Sequence, residues 1–243
     1  MDTGQDAGNQ QVVVEIWGDV VCPFCYMGHT LLTRAAEQFD GDVAVTFRSF
    51  QLSPELTPGV VADDLELMQK SYGISAAQAK AMNAGVAARA ADIGLSCKLD
   101  TALSTNSAKA HQLIHFAMAL GKQDLMVERL FRAYHTDNLH LGQTQVLAEL
   151  AAEVGVDPDE TRRVLDSEEY AADVVRDRDD AHRLGIGSVP YFVVNRAFAA
   201  SGVQSVEALH ELFHMAQRSA PESNGSGQAL KTERVFPELR QRH

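Results

Sequence analysis

Two cysteines three residues apart, Cys22 and Cys25 in Asp19-Val20-Val21-Cys22-Pro23-Phe24-Cys25-Tyr26, are the residues best suited to chemistry in this 243-residue chain. A Cys-x-x-Cys spacing serves either as half of a zinc site or as a dithiol that opens and closes disulfides. Structural zinc needs two further ligands, and the only other cysteine, Cys97, stands alone in Ser96-Cys97-Lys98, so no metal is expected. Pro23 suits the first position of a helix, which puts Cys22 at the N-cap and Cys25 at the third position. There the Cys22 sulfur meets free backbone N–H groups and the positive end of the helix dipole, both of which favour a thiolate. Cys22 is therefore expected to attack, and Cys25, about 5–6 Å away on the same face, to resolve.

The elements that must hold this pair are legible around it. Val12 to Trp17 is a β-branched and aromatic run that predicts a buried strand ending at Gly18. Apolar residues at helical spacing (Leu31, Leu32, Ala35, Ala36, Phe39) predict a helix from Pro23 to Phe39, and Val43 to Phe50 predicts a second strand. A strand–helix–strand unit implies parallel strands joined by a right-handed crossover. From 52 to 184 the pattern is helical and without strands. Ser75 and Gln78 form a capping-box pair ahead of a helix stopping at Gly94, and helices are predicted over 105–120, 123–135, 143–154, 158–166 and 168–184. Pro190 to Val194 and Ala197 to Ser201 predict a hairpin turning at Asn195-Arg196, and Ser205 caps a last helix to about Gln217. The expected organisation is 12–51 plus 185–218 as one α/β domain, 52–184 as an inserted helical subdomain, and 219–243 as linker and tail.

The chain carries 33 acidic and 21 basic side chains, net −12, with 45% hydrophobic residues. That balance opposes nucleic acid and anionic membranes as partners. The polar, acidic stretch from Met1 to Gln11 has no export pattern, and no run approaches the roughly 20 apolar residues of a membrane span. A cytoplasmic protein is expected, in which a close cysteine pair works rather than staples. No feature sets an oligomeric state.

Other residues have plainer readings. Pro190 in Gly187-Ser188-Val189-Pro190-Tyr191 opens a strand, and its turn can hold either a trans or a cis bond. Glu15 is read as an exposed strand carboxylate, with a proton relay to Cys25 as the alternative. Asp19 is read as facing solvent; a negative charge close to Cys22 would raise its pKa. His111 and His115, four apart, lack the glutamate of a zinc peptidase, so His111 is expected to line a cleft or cap local polar groups. Trp17 is expected in the core, Phe24 at a groove rim in reach of substrate, and Cys97 as an inert packed thiol.

Together with the cysteine segment, Thr105-Asn106-Ser107 through Ala110-His111, Leu130 to Tyr134 and Gly187 to Val194 resemble the DsbA-like branch of the thioredoxin superfamily, closest to its cytoplasmic FrnE-type members, over residues 12–216. The resemblance implies an α/β thioredoxin fold, a mixed sheet flanked by helices, with a large helical insertion. It implies a thiol–disulfide oxidoreductase or isomerase acting on protein or small-molecule disulfides, with catalytic residues Cys22, Cys25 and a cis Pro190. It implies that Val189 contacts substrate by pairing its backbone with the substrate chain; Phe24 and His111, on the residue readings above, are the other expected substrate contacts. No tightly bound cofactor is implied, with glutathione or another small thiol as co-substrate. The Pro23-Phe24 dipeptide has no histidine to stabilise the thiolate, which places the couple between roughly −270 and −120 mV, nearer the reducing end. A second cysteine pair of some FrnE-type relatives has no counterpart here. Two competing readings are a glutathione-dependent transferase or isomerase of the kappa/2-hydroxychromene-2-carboxylate type, which uses a serine in place of Cys22, and a non-catalytic groove-binding module or holdase.

Overall fold

The computed structural model describes residues 11–60 and 62–219. Strand β1 (Val12–Gly18) leads into helix α1 (Pro23–Gln38) and strand β2 (Val43–Ser49). A long excursion follows: β3 (Ala62–Asp63), α2 (Asp64–Tyr72), α3 (Ala76–Asp92), a 3-10 turn at Leu99–Thr101, β4 (Leu103–Ser104), α4 (Ala108–Ala119), α5 (Gln123–His135), α6 (Thr144–Glu153), α7 (Pro158–Asp166) and α8 (Ala171–Arg183). The chain then returns through β5 (Tyr191–Val194) and β6 (Phe198–Ser201) to α9 (Val206–Arg218). The main sheet has the order β2-β1-β5-β6, with β1 and β2 parallel and the other pairs antiparallel. This is the mixed, helix-flanked α/β arrangement expected of a thioredoxin fold.

Local chemistry accounts for the element ends. Pro158 and the Asp157 side chain, which accepts from the Asp159 and Glu160 amides, start α7, and the Ser75–Gln78 capping box starts α3. The β5–β6 hairpin turns at Asn195 and Arg196, both at positive φ, as a tight hairpin turn requires. Asn195 also clamps the turn to β1: its amide donates to the Val13 carbonyl, and its Oδ1 accepts from the Val13 amide, each at 2.8 Å.

Three expectations need correction. The segment after β2 contains two short strands, with Ala62 opposite Ser104 and Asp63 opposite Leu103; two-residue strands are too brief to leave a periodic signal. The unpredicted helix α2 depends on single residues at its ends, the Asp63 cap on the Glu66 amide (3.1 Å) and Gly73 in the left-handed region. Residues 105–107 precede α4 instead of opening it: Asn106 accepts from the Ala108 amide at the helix start while its side-chain amide donates to the Leu56 carbonyl, and the Ser107 hydroxyl donates to Asp19. The expected linker from 220 onward and the tail lie outside the described residues.

The two faces of β1 differ. Val12, Val14 and Ile16 belong to a core with Leu32, Leu130, Phe131 and Phe213, which extends into α6 and α7, so the helices between β2 and β5 share their core with the sheet. The other face carries Trp17 against Ala181, Ile186 and Val193, beneath α8. Phe131 of α5 is the keystone of the first face: fully buried, it stacks on Tyr26 of α1 at 5.2 Å and meets Phe47 edge-on at 5.9 Å. Phe131→Ala should reduce stability by about 3–5 kcal/mol in urea denaturation. A loss below about 1 kcal/mol would contradict a core continuous from α5 into the helix that carries the cysteines.

Candidate active site at the start of helix α1

Cys22 is the N-cap of α1, with extended backbone and Pro23 behind it, and Cys25 lies on the first turn. The turn into the helix is closed by the Cys22 amide donating to the Asp19 carbonyl at 3.1 Å. Both thiols are free, Cys22 with a small exposed fraction and Cys25 with none. The hydrogen bond from the Cys25 thiol, aided by the Cys25 and Phe24 amides, holds Cys22 below the usual thiol range against burial and the Asp19 charge. Burial pushes Cys25 far up, and Cys22 and Asp19 add to the effect. The pair therefore combines one thiol poised to ionise with one that retains its proton.

Close packing makes room for this arrangement. The Val189–Pro190 bond is cis. A Cβ on Gly28, one turn beyond Cys25, would lie 2.9 Å from the Pro190 ring, so a glycine there is what lets the proline seat against α1. The β1–β5 ladder begins at Tyr191 opposite Trp17, which leaves Val189 ahead of it. Phe24 is half-buried beside the pair.

Asp19 is not at the surface: it is fully buried behind the cysteines. Its carboxylate accepts from the Leu52 amide (2.8 Å), the Ser107 hydroxyl (3.1 Å) and the Val21 amide (3.4 Å), and His111 Nε2 lies at 3.2 Å. Burial alone would raise this carboxyl, but the bonds to His111, Leu52 and Ser107 outweigh it and hold the acid below its usual range. His111 is likewise fully buried, so it caps Asp19 and does not line an open cleft. The sequence could not supply the pairing, since the partners are 92 positions apart.

Glu15 is neither an exposed carboxylate nor a relay to Cys25. It is buried on the Trp17 face, between Arg48 (2.6 Å) and Arg196. Arg48 also reaches Asp177 (2.9 Å), which takes His115 at 3.0 Å and the Ser49 amide at 2.8 Å, so His115 and His111 are engaged by different acids. Among the described residues no group of three or more metal-ligating side chains occurs. A cavity of about 430 Å³ opens on this α8 face, lined by Arg48, His115 and Asp177 among others. A second, of about 350 Å³, lies between α3 and residues 97–101 and is lined by Cys97, a half-buried thiol that burial pushes up.

Two further buried histidines surround the aromatic stack: His29 beside Phe131, and His135 stacked on Tyr26. Burial lowers both to about 4. Unfolded, these rings titrate near 6.5, so between pH 6.5 and 4 the unfolded chain binds more protons and stability is lost as pH falls. Each ring should contribute a loss of about 3 kcal/mol by pH 4, visible as a melting temperature that declines from pH 6.5 downward. A flat profile across that window would contradict two neutral buried rings.

The sheet order, the helix-start cysteines and the cis proline define a thioredoxin-fold protein of the thiol-oxidoreductase class. The chain belongs to the family of the DSBA-like thioredoxin domain, whose model matches residues 13–214. Among solved structures it is similar to a probable DsbA oxidoreductase from Streptomyces coelicolor, at 32% identity and TM-score 0.81, covering 86% of this chain and 92% of that one. Two structures share the fold at lower identity. One is 2-hydroxychromene-2-carboxylate isomerase (14%, TM-score 0.63, covering 85% and 95% of the two chains). The other is the cytosolic disulfide reductase DsbM from Pseudomonas aeruginosa with GSH (21%, TM-score 0.55, covering 82% and 93%). Among the described residues no helix is long and apolar enough to cross a membrane.

Proposed function

We propose that the protein exchanges disulfides through Cys22 and Cys25 and works in the reducing direction. The observation that carries the exchange chemistry is the asymmetry of the pair: Cys22 at the helix N-cap below the usual thiol range, Cys25 buried and held protonated. The Cys22 thiolate attacks a disulfide R–S–S–R′, forming a Cys22–S–R bond and expelling R′–S⁻, which takes up a proton. Cys25 then loses its proton and attacks Cys22 Sγ, closing the Cys22–Cys25 disulfide and expelling R–S⁻. Two small thiols return the pair to the dithiol and leave as their own disulfide. Pro190 seats the strand start beside α1, the Val189 backbone pairs with a peptide substrate, and Phe24 forms the rim.

Direction follows from charge. Asp19 places a carboxylate behind the dithiol, in contact with His111, and Pro23-Phe24 adds no positive group. Negative charge near a thiolate makes the reduced form less stable and the couple more reducing. Glutathione as electron donor in a cytosolic setting fits that poise, and the fold shared with GSH-bound DsbM supports it. The fold is equally shared with the carboxylate isomerase, but a glutathione-dependent isomerase has no use for the protonated second thiol. The test is insulin reduction in the presence of dithiothreitol or glutathione. Multiple turnovers are expected, and a rate equal to the thiol alone would contradict the reading.

A further inference from the structure

Most described arginines pair with a carboxylate: Arg48, Arg129, Arg163 and Arg196 each hold two. Arg89, exposed on α3, has no carboxylate within 4.0 Å among the described residues. Its guanidinium lies 5.5 Å from the centre of the ring of Phe24, one of the two residues between the cysteines. The placement is fixed from both ends. Arg34 of α1 donates to the Ile93 carbonyl at 2.7 Å, which ties the end of α3 to α1, and the cation sits on the ring face. Contact with a ring leaves the guanidinium's in-plane N–H donors free, and that fork matches a carboxylate.

This cation runs against the charge of the chain. At net −12, the long-range field repels an anionic substrate approaching the dithiol. A free guanidinium over Phe24, which adjoins Cys25 and is two positions from Cys22, offsets that repulsion beside the reacting pair. We propose that Arg89 is a specificity residue that selects disulfides bearing a carboxylate on a residue flanking the cysteine, the class of acidic peptide disulfides to which glutathione disulfide belongs. The proposal rests on the dithiol reading above. No new covalent step is involved: while Cys22 Sγ bonds to the substrate sulfur, the substrate carboxylate accepts from Arg89 across the Phe24 ring.

The experiment compares, with dithiothreitol as the reductant that regenerates the dithiol, kcat/KM for glutathione disulfide and for the uncharged bis(2-hydroxyethyl) disulfide in wild type, Arg89→Ala, Arg89→Glu and Arg89→Lys. The ratio of the two values should fall about tenfold in Arg89→Ala, with the loss in KM, further in Arg89→Glu, and less in Arg89→Lys. Rising salt should raise KM for glutathione disulfide in wild type and much less in Arg89→Ala. A ratio within twofold of wild type in both Arg89→Ala and Arg89→Glu would overturn the proposal. Wild-type turnover of the uncharged disulfide reports on the dithiol alone. Its absence would overturn the dithiol reading, and the role of Arg89 with it, whereas turnover with an unmoved ratio overturns only the latter.

Discussion

Cys25→Ser protein mixed with a disulfide substrate should accumulate as a covalent adduct through Cys22, whereas Cys22→Ser protein should form none and reduce insulin no faster than the uncatalysed rate. The difference follows from position. Cys22 sits at the N-cap with some exposure and a lowered pKa, so it is the sulfur a substrate can reach and the one that ionises. Cys25 has no exposed surface and holds its proton, so it cannot begin an exchange but can end one. Serine at 25 cannot expel the bound thiol, and the intermediate persists. Intact-mass measurement after acid quench, with peptide mapping, reads the adduct and its site. Adduct at Cys97 in the Cys25→Ser protein, or insulin reduction retained by Cys22→Ser, would contradict the division of labour.

The second large effect concerns Asp19. Asp19→Asn keeps an acceptor for the Leu52 amide and Ser107 hydroxyl but removes the charge behind the dithiol. The Asp19 charge raises both cysteines, so its removal should lower the Cys22 pKa and stabilise the reduced form. The equilibrium constant with glutathione should shift at least about tenfold toward the dithiol, a potential about 30 mV more oxidising. Ser107→Ala, which removes one donor and no charge, should move it much less. An equal shift in both variants would mean that packing around Asp19, and not its charge, sets the potential.

What the sequence disclosed and what it withheld divide along a physical line. Cys22, Pro23 and Cys25 are read from local rules for a helix start, and the parallel β1–β2 pair from one strand–helix–strand run, because the interactions concerned lie within a few residues. Asp19 and Glu15 depart from their expected exposure, and of the two roles expected for His111 only the polar cap holds, because their environments come from distant partners. The Asp19 carboxylate is buried by Leu52, Ser107 and His111, and Glu15 by Arg48 and Arg196, 33 and 181 positions away. Alternation puts Glu15 on the face of Trp17, but only the packing of α8 turns that face into an ion-pair layer. The cis bond at Pro190 was implied by family resemblance and not by its turn, where a trans bond is the commoner state.

The central claim, that Cys22 and Cys25 are a working dithiol, is tested most directly by equilibrating the wild-type protein across glutathione redox buffers. Disulfides at each point are then mapped by mass spectrometry after thiol trapping. The account predicts a single two-electron transition with a Cys22–Cys25 disulfide on the oxidised side and Cys97 trapped as a thiol throughout. The midpoint should lie closer to roughly −270 mV than to roughly −120 mV. Failure to form the Cys22–Cys25 disulfide at any potential in that range, or a disulfide involving Cys97 in its place, would contradict it.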